Sequence, residues 1–230
     1  THLHVASAFS GHYGVTRPEQ MAEAAVASGF SALAITDRDG LYGAVKHIGA
    51  CLKLGLAPII GVDLNIFDDD GSSLGRCVIL AHGNNKGAGW ATLCKIVSVA
   101  HEKRKTNNPN AKLGSKKDIG IGRRMLSELM ANGNCTLLIG PDSDVGRQVV
   151  AGNRMMASAL LENWHGLFKY PGSFGIEIVS HLTQPGTVFS SLQARRMVEL
   201  ADANNIPAVL TNAVRYLEPD DALTADVLDA

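Results

Sequence analysis

The sequence predicts an α/β protein, a parallel sheet closed or nearly closed into a barrel with helices outside it. Three observations predict this. Short apolar β-type runs alternate with helical stretches about seven times along the chain, the pattern that places crossover helices between parallel strands. Polar residues collect just past the carboxyl ends of those runs: Asp37, Arg38 and Asp39; Asp63; His82; Asp142; His181; Asn212 and Arg215. Barrels of this class gather their ligands at that end. No run is followed by a GxGxxG loop or a Walker sequence, which disfavours an open nucleotide-binding sheet.

The elements follow in order. HLHVA (2–6) reads as a strand. PEQMAEAAVASG (18–29) reads as a helix with Thr16 as N-cap, Pro18 in the first turn and Gly29 as its stop. SALAIT (31–36) is a buried strand, followed by the loop DRDG. LYGAVKHIGACLKL (41–54) is a helix stopped by Gly55, and APIIGVDLNIF (57–67) a strand running to the acidic hairpin turn DDDG. RCVILAH (76–82) is a strand and GWATLCKIVSVAHEKRK (89–105) a helix. The polar stretch 106–120 reads as a loop. IGRRMLSELMANG (121–133) is helical and CTLLIG (135–140) a strand. RQVVAGNRMMASALLENWHG (147–166) is helical, interrupted at Gly152 and Asn153. FGIEIVSH (174–181), SLQARRMVELADANN (191–205) and PAVLTN (207–212) complete the series as strand, helix and strand.

Composition narrows the function. Hydrophobic residues make up 46 % of 230, enough for a sizeable core, and 21 basic residues nearly balance 22 acidic ones. A net charge of −1 excludes a nucleic-acid clamp spread over the whole surface, though not a local basic patch. Cys51, Cys77, Cys94 and Cys135 stand far apart without CxxC spacing and read as reduced, mostly buried thiols of a cytoplasmic protein. No apolar stretch reaches the roughly 18–20 residues of a membrane span, and no signal peptide is visible. The chain opens on Thr1 and stops in mid-pattern at DVLDA, so both ends read as cuts in something longer.

The opening THLHVASAFS carries the first chemistry. His2 and His4, at i and i+2 on a strand, share a face and stand close enough to share one ion. The next residue on that face is Ala6, which has no donor.

HLHVASAFS, ALAITDRDGLYGAVKHIGACLKLGLAPIIGVDL, GWATLCKIVSVAH and VLTNAVRYLEPDDALTADVL together resemble the PHP (polymerase and histidinol phosphatase) domain, over nearly the whole chain. TNAVRYLEPDDA is similar to the branch found in bacterial family C DNA polymerases, the replicative alpha subunit and its error-prone relatives. The resemblance implies a distorted (β/α)7 TIM-like barrel of PHP type. It also implies up to three metal ions at the mouth, bound by His, Asp, Glu and Cys. It implies as well that a single PHP domain spans 1–230, as an N-terminal fragment of a longer polymerase chain.

Carried over residue by residue, the ligand set mostly fails. His4 keeps a ligand position, the second falls on Ala6, and an Asp before Gly falls on Tyr13, with His12 one residue off. Thr-Asp-His reads Thr36-Asp37-Arg38, and Gly-x-Glu reads Gly61-Val62-Asp63. A His at the start of the next strand falls on Cys77, and LLIGPDSD offers no match for another ligand. His181 keeps a position, while the final Asp-x-His reads Ala213-Val214-Arg215. The vestigial metal positions are thus His4, His12, Asp63 and His181. They suffice for at most one weakly held zinc or manganese, where phosphoester hydrolysis of this kind needs two or more ions. No cofactor and no catalytic residue is therefore expected.

Arg38 and Arg215 replace ligand histidines at two strand ends. A guanidinium keeps its proton and cannot coordinate a cation. The expectation is that the two substitute for the metal charge by pairing with Asp63 and Asp37, with phosphate or sulfate binding as an alternative. Asp37 and Asp39 are otherwise expected to cap backbone amides before the next helix. His47, His82, His101 and His165 read as surface or boundary residues, and Trp90 and Trp164 as packing residues. The basic stretch with Lys103, Arg104, Lys105, Lys112, Lys116, Lys117, Arg123 and Arg124 reads as a solvated loop or a DNA contact.

The resemblance therefore implies a structural domain of a polymerase for DNA replication or error-prone repair synthesis. Its own hydrolase site is degenerate, and its partners are the palm and thumb. The alternative is a metal-dependent phosphoesterase or 3′–5′ proofreading exonuclease, and a third reading is an anion- or DNA-binding module.

Overall fold

The computed structural model describes residues 1–83, 86–102 and 119–229. In chain order the elements are α1 (Pro18–Ala27), β1 (Ala32–Ile35), α2 (Ala44–Leu54), β2 (Ala57–Phe67), β3 (Ser73–Ala81) and α3 (Ala88–His101). There follow β4 (Ile121–Gly122), α4 (Arg123–Leu129), β5 (Cys135–Ile139), α5 (Asp144–Val150) and α6 (Arg154–Leu167). The series ends with β6 (Phe174–Ile178), α7 (Ser191–Ala203), β7 (Ala208–Leu210) and α8 (Asp221–Asp229).

Local chemistry explains the boundaries. Gly55, at φ +76°, ends α2 in the left-handed conformation that a Cβ disfavours. Ser143 and Ser190 cap α5 and α7 by accepting from Gly146 N and Gln193 N. Arg17, not Thr16, holds the N-cap position of α1, and its amide donates to Gln20 Oε1 at 3.3 Å. The stretch 147–166 is two helices rather than one, because Gly152 at φ +78° turns the chain out of helical geometry.

The sheet runs β1-β2-β3-β5-β6-β7, with β4 beside β2. It is not wholly parallel: β3 is antiparallel to both β2 and β5, while the other pairings are parallel. The acidic turn is the cause. It is closed by Asp68 N to Ser72 O at 2.9 Å, and a parallel return would need a crossover of a dozen residues or more. Residues 2–6 form an isolated bridge, Val5 to Val214, and not the expected strand. They still bond to the chain just past β1 and to the chain that follows β7. Thr36 N donates to Val5 O at 2.8 Å, and Ala6 N to Val214 O at 2.8 Å. The segment thereby spans the gap between β1 and β7 in a distorted TIM-like barrel.

Strand alternation sorts the side chains. Val62, Leu64, Cys77, Ile79, Leu137 and Ile139 face the helices, in the large core that also holds Trp164, Leu161 and Ile96. Val5 and Leu33 pack with α1 and α2 through Met21, Ala22 and Cys51. Val78, Leu80 and Leu138 lie on the opposite, inner face with Leu3, Ile59 and Val209. All four cysteines are free, and burial pushes the Cys135 thiol up to about 12, so it stays protonated.

Candidate functional site at the barrel mouth

Asp63 is the hub. It sits on the inner face of β2, its side chain 4 % exposed, where an unpaired carboxylate would pay heavily in desolvation. Two arginines prevent that. Arg76 Nε lies 3.0 Å from each of its carboxylate oxygens, and Arg38 Nε 3.3 Å from Oδ2. Arg76 Nη2 donates to the Asp63 carbonyl at 2.6 Å and to Asp39 Oδ1 at 2.9 Å. His101 Nε2 contacts the Asp39 carbonyl. Asp39 is thus an ion-pair partner of Arg76 and not the helix cap expected from the sequence.

Asp37 is not a cap for the next helix either, nor a partner of Arg215. It is buried and accepts from Ser7 N at 2.7 Å, Ser7 Oγ at 2.8 Å and Ser10 Oγ at 2.8 Å. A Cβ on Gly43 would stand 2.5 Å from Asp37 Oδ2, so the backbone before α2 closes tightly on this carboxylate. Arg215 donates from Nε to Tyr13 O at 3.2 Å and from Nη2 to Ala225 O at 3.0 Å. Both guanidiniums stack on the Tyr13 ring, Arg38 at 3.2 Å and Arg215 at 4.3 Å from its centroid.

His4 forms a second buried pair. Its Nδ1 lies 2.7 Å from Glu177 Oε1, which also accepts from Thr211 Oγ1 at 2.5 Å. Burial pulls the imidazole pKa down, but Glu177, its hydrogen bond and Asp63 together outweigh that and hold it above the ordinary value.

The mouth therefore brings together His4, Arg38, Asp63 and, through Tyr13, Arg215. His12 is exposed in a turn at φ +62°, and His181 is exposed, its Nε2 2.7 Å from Asn212 O and its ring stacked on Phe189. Cys77 faces the helices, fully buried, with its thiol pushed up chiefly by that burial. His47 is buried rather than superficial and bonds the Leu33 carbonyl at 3.0 Å. Lys103, Arg104, Lys105, Lys112, Lys116 and Lys117 lie outside the described residues. Arg123 and Arg124 pair with Asp68 and Asp69 of the hairpin turn.

Two residues at the centre of the site were missed from sequence, Arg76 and Glu177. Each had a signal. Glu177 is the charged residue of the otherwise apolar FGIEI, where burial demands a partner. Arg76 shares a strand face with Val78 and Leu80, opposite to Cys77.

The donor set does not fit a metal cluster. Among the described residues no three His, Cys, Asp or Glu side chains converge to hold an ion. Asp63 spends its oxygens on guanidiniums, and His4 and Glu177 satisfy each other.

The PHP domain family matches residues 2–181. DNA polymerase III subunit alpha of Escherichia coli K12 is 32 % identical over 223 residues, covering 96 % of this chain and 17 % of that one. The namesake subunit of Buchnera aphidicola subsp. Schizaphis graminum is 31 % identical over 221 residues, covering 96 % and 18 %. That of Bacillus subtilis is 26 % identical over 227 residues, covering 96 % and 18 %. The chain thus spans less than a fifth of the length of these curated relatives. Among solved structures, a putative metal-dependent phosphoesterase from Bifidobacterium adolescentis superposes with a TM-score of 0.56 at 13 % identity, covering 100 % and 96 %. An amidohydrolase from Chromobacterium violaceum, solved with sulfate and no metal, gives 0.59 at 15 %, covering 99 % and 96 %. These likenesses show the fold. The family match spans more than three-quarters of the 230 residues, and the chain belongs to the PHP domain family.

Proposed function

We propose that this chain is the N-terminal PHP domain of a DNA polymerase III alpha-type subunit, in which arginine–carboxylate pairs have taken the structural place of the family's metal cluster. The observation that carries this is Asp63, held by Arg38 and Arg76 together. A carboxylate in two ion pairs can tie β2 to the loop after β1 and to β3, as a shared ion would tie them. The role is then to stabilise a cytoplasmic polymerase and to pack against its palm and thumb. Nucleotidyl transfer belongs to the palm, and the basic residues Lys103, Arg104, Lys105, Lys116 and Lys117 contribute a contact to the DNA backbone. Similarity to polymerase subunits over 96 % of the chain supports the assignment.

The test is hydrolysis of a chromogenic phosphoester, and of single-stranded DNA from its 3′ end, with manganese or zinc supplied. The expected result is no turnover above a chelator-treated control. Metal-dependent turnover that is lost in Asp63→Asn would establish the phosphoesterase or proofreading exonuclease instead.

A further inference from the structure

We propose that α2 of one copy of this chain docks on α8 of a second copy, so that the protein associates with itself head to tail through two helix faces that the fold leaves bare. Val45, Gly49 and Leu52 fall at i, i+4 and i+7 on one stripe of α2. Val45 is 77 % and Leu52 66 % exposed, while Ala44, His47 and Cys51 take the buried side of a helix that packs on α1, β1 and β2. Gly49 sits mid-helix without a left-handed φ, and a Cβ there would meet nothing within 4 Å. Alanine would fit at that point and favour the helix. Glycine instead leaves a gap between Val45 and Leu52, in which a side chain of another helix can seat with the two axes close together.

α8 offers what fills that gap. Ala225, 2 % exposed, faces inward, and its carbonyl accepts from Arg215 Nη2 at 3.0 Å, which fixes how the helix lies. Leu223 and Val227, four residues apart, then stand outward at 75 % exposure each. With both strips so exposed, neither helix covers the other within one chain. Charge selects the occupant. α2 carries Lys46 and Lys53, both exposed, and no acid. α8 carries Asp221 and Asp226 and no base, with Glu218 and Asp220 just before it. Lys46, Lys53 and Asp226 have no ion-pair partner among the described residues. Pairing α2 with α2 would set lysine against lysine, and α8 with α8 aspartate against aspartate, whereas α2 on α8 joins opposite charges. Because the two faces differ, each copy keeps a free one for a further neighbour, and association runs on or closes into a ring. A few side chains on each side bury well under the about 1,200 Å² of a standard interface, so the contact is reversible.

Sedimentation equilibrium of the chain between about 1 μM and about 1 mM reads the association. The weight-average mass should rise with concentration beyond that of a monomer. Gly49→Arg fills the gap on α2 and Val227→Arg breaks the strip on α8, and each alone should weaken association about tenfold or more. Mixed in equal amounts, the two variants should associate again and stop at a one-to-one pair, because one supplies only an intact α8 and the other only an intact α2. Lys46→Glu combined with Lys53→Glu leaves the apolar strips untouched and guards against misfolding of the arginine variants. It too should weaken association, with an unchanged circular dichroism spectrum, and adding Asp226→Lys to the same chain should restore part of the loss. A chain that stays monomeric up to about 1 mM, or variants that associate as the wild type does, would overturn the proposal. Loss in only one of the two arginine variants overturns it in favour of a symmetric contact of that helix with itself. Two monomeric variants whose mixture also stays monomeric overturn it, since the strips then do not meet.

Discussion

At the scale of single residues, Asp63 decides the energetics of the mouth. Its side chain is 4 % exposed, and Arg76, at 23 %, is the better buried of its two arginine partners. Breaking a buried ion pair from one side strands a charge. Asp63→Asn and Arg76→Met should each lower stability by about 3 kcal/mol in urea unfolding. The double variant should cost less than the two losses together, because neither stranded charge remains. Equality of the double cost with that of the two singles added would mean the pair is not coupled. His4 gives a pH signature. Its folded pKa stands above the free value of 6.5, so its protonated pair with Glu177 stabilises fully below that value and is lost as pH rises through the folded one. The advantage of the wild type over His4→Gln should accordingly be largest in acid and shrink on raising the pH. An advantage that grows with pH would contradict the pairing.

At the scale of elements, helices were the most legible part of the sequence and strand partners the least. Helices α1, α2, α3, α6 and α7 sit close to where apolar spacing and stop signals put them, because those signals are local, whereas α8 was not read at all and Ile121–Gly122, read as helix, is the short strand β4. Sheet direction is set by connections, and the turn at 68–71 already contained the answer: a hairpin there makes β2 and β3 antiparallel. The same strand shows why the site was only partly readable. A phase error of one residue moves a side chain through the sheet, so the position assigned to Cys77 belongs to the core while Arg76 faces the mouth. Asp37 and Asp39 illustrate the reverse case. Their loop looks self-capping, and only the folded chain brings Ser7, Ser10 and Arg76 to them across long sequence separations. Where caps are local they are testable. Ser143→Ala and Ser190→Ala should each destabilise by about 1 kcal/mol in thermal or urea unfolding. Trp164, buried with Nε1 donating to Asp144 Oδ1 at 3.0 Å, should cost about 3–5 kcal/mol on replacement by Ala.

At the scale of the whole molecule, one barrel frame serves two ways of fixing its mouth. Divalent ions can tie the loops in a hydrolase; on the function proposed here, fixed guanidiniums would tie them in a domain that supports its neighbours. The second way needs no metal supply, but it leaves the frame close to the first. Combining Ala6→His, Arg38→His and Arg215→His should therefore raise zinc or manganese affinity above that of the wild type in calorimetric titration. A triple variant that folds but binds no better would show that more than the ligands has been lost.

The most direct measurement is elemental analysis of the chain purified without chelator. An arginine-held mouth predicts well under one zinc, manganese or iron per chain. Two or more ions per chain, retained through dialysis and released in Asp63→Asn, would contradict it.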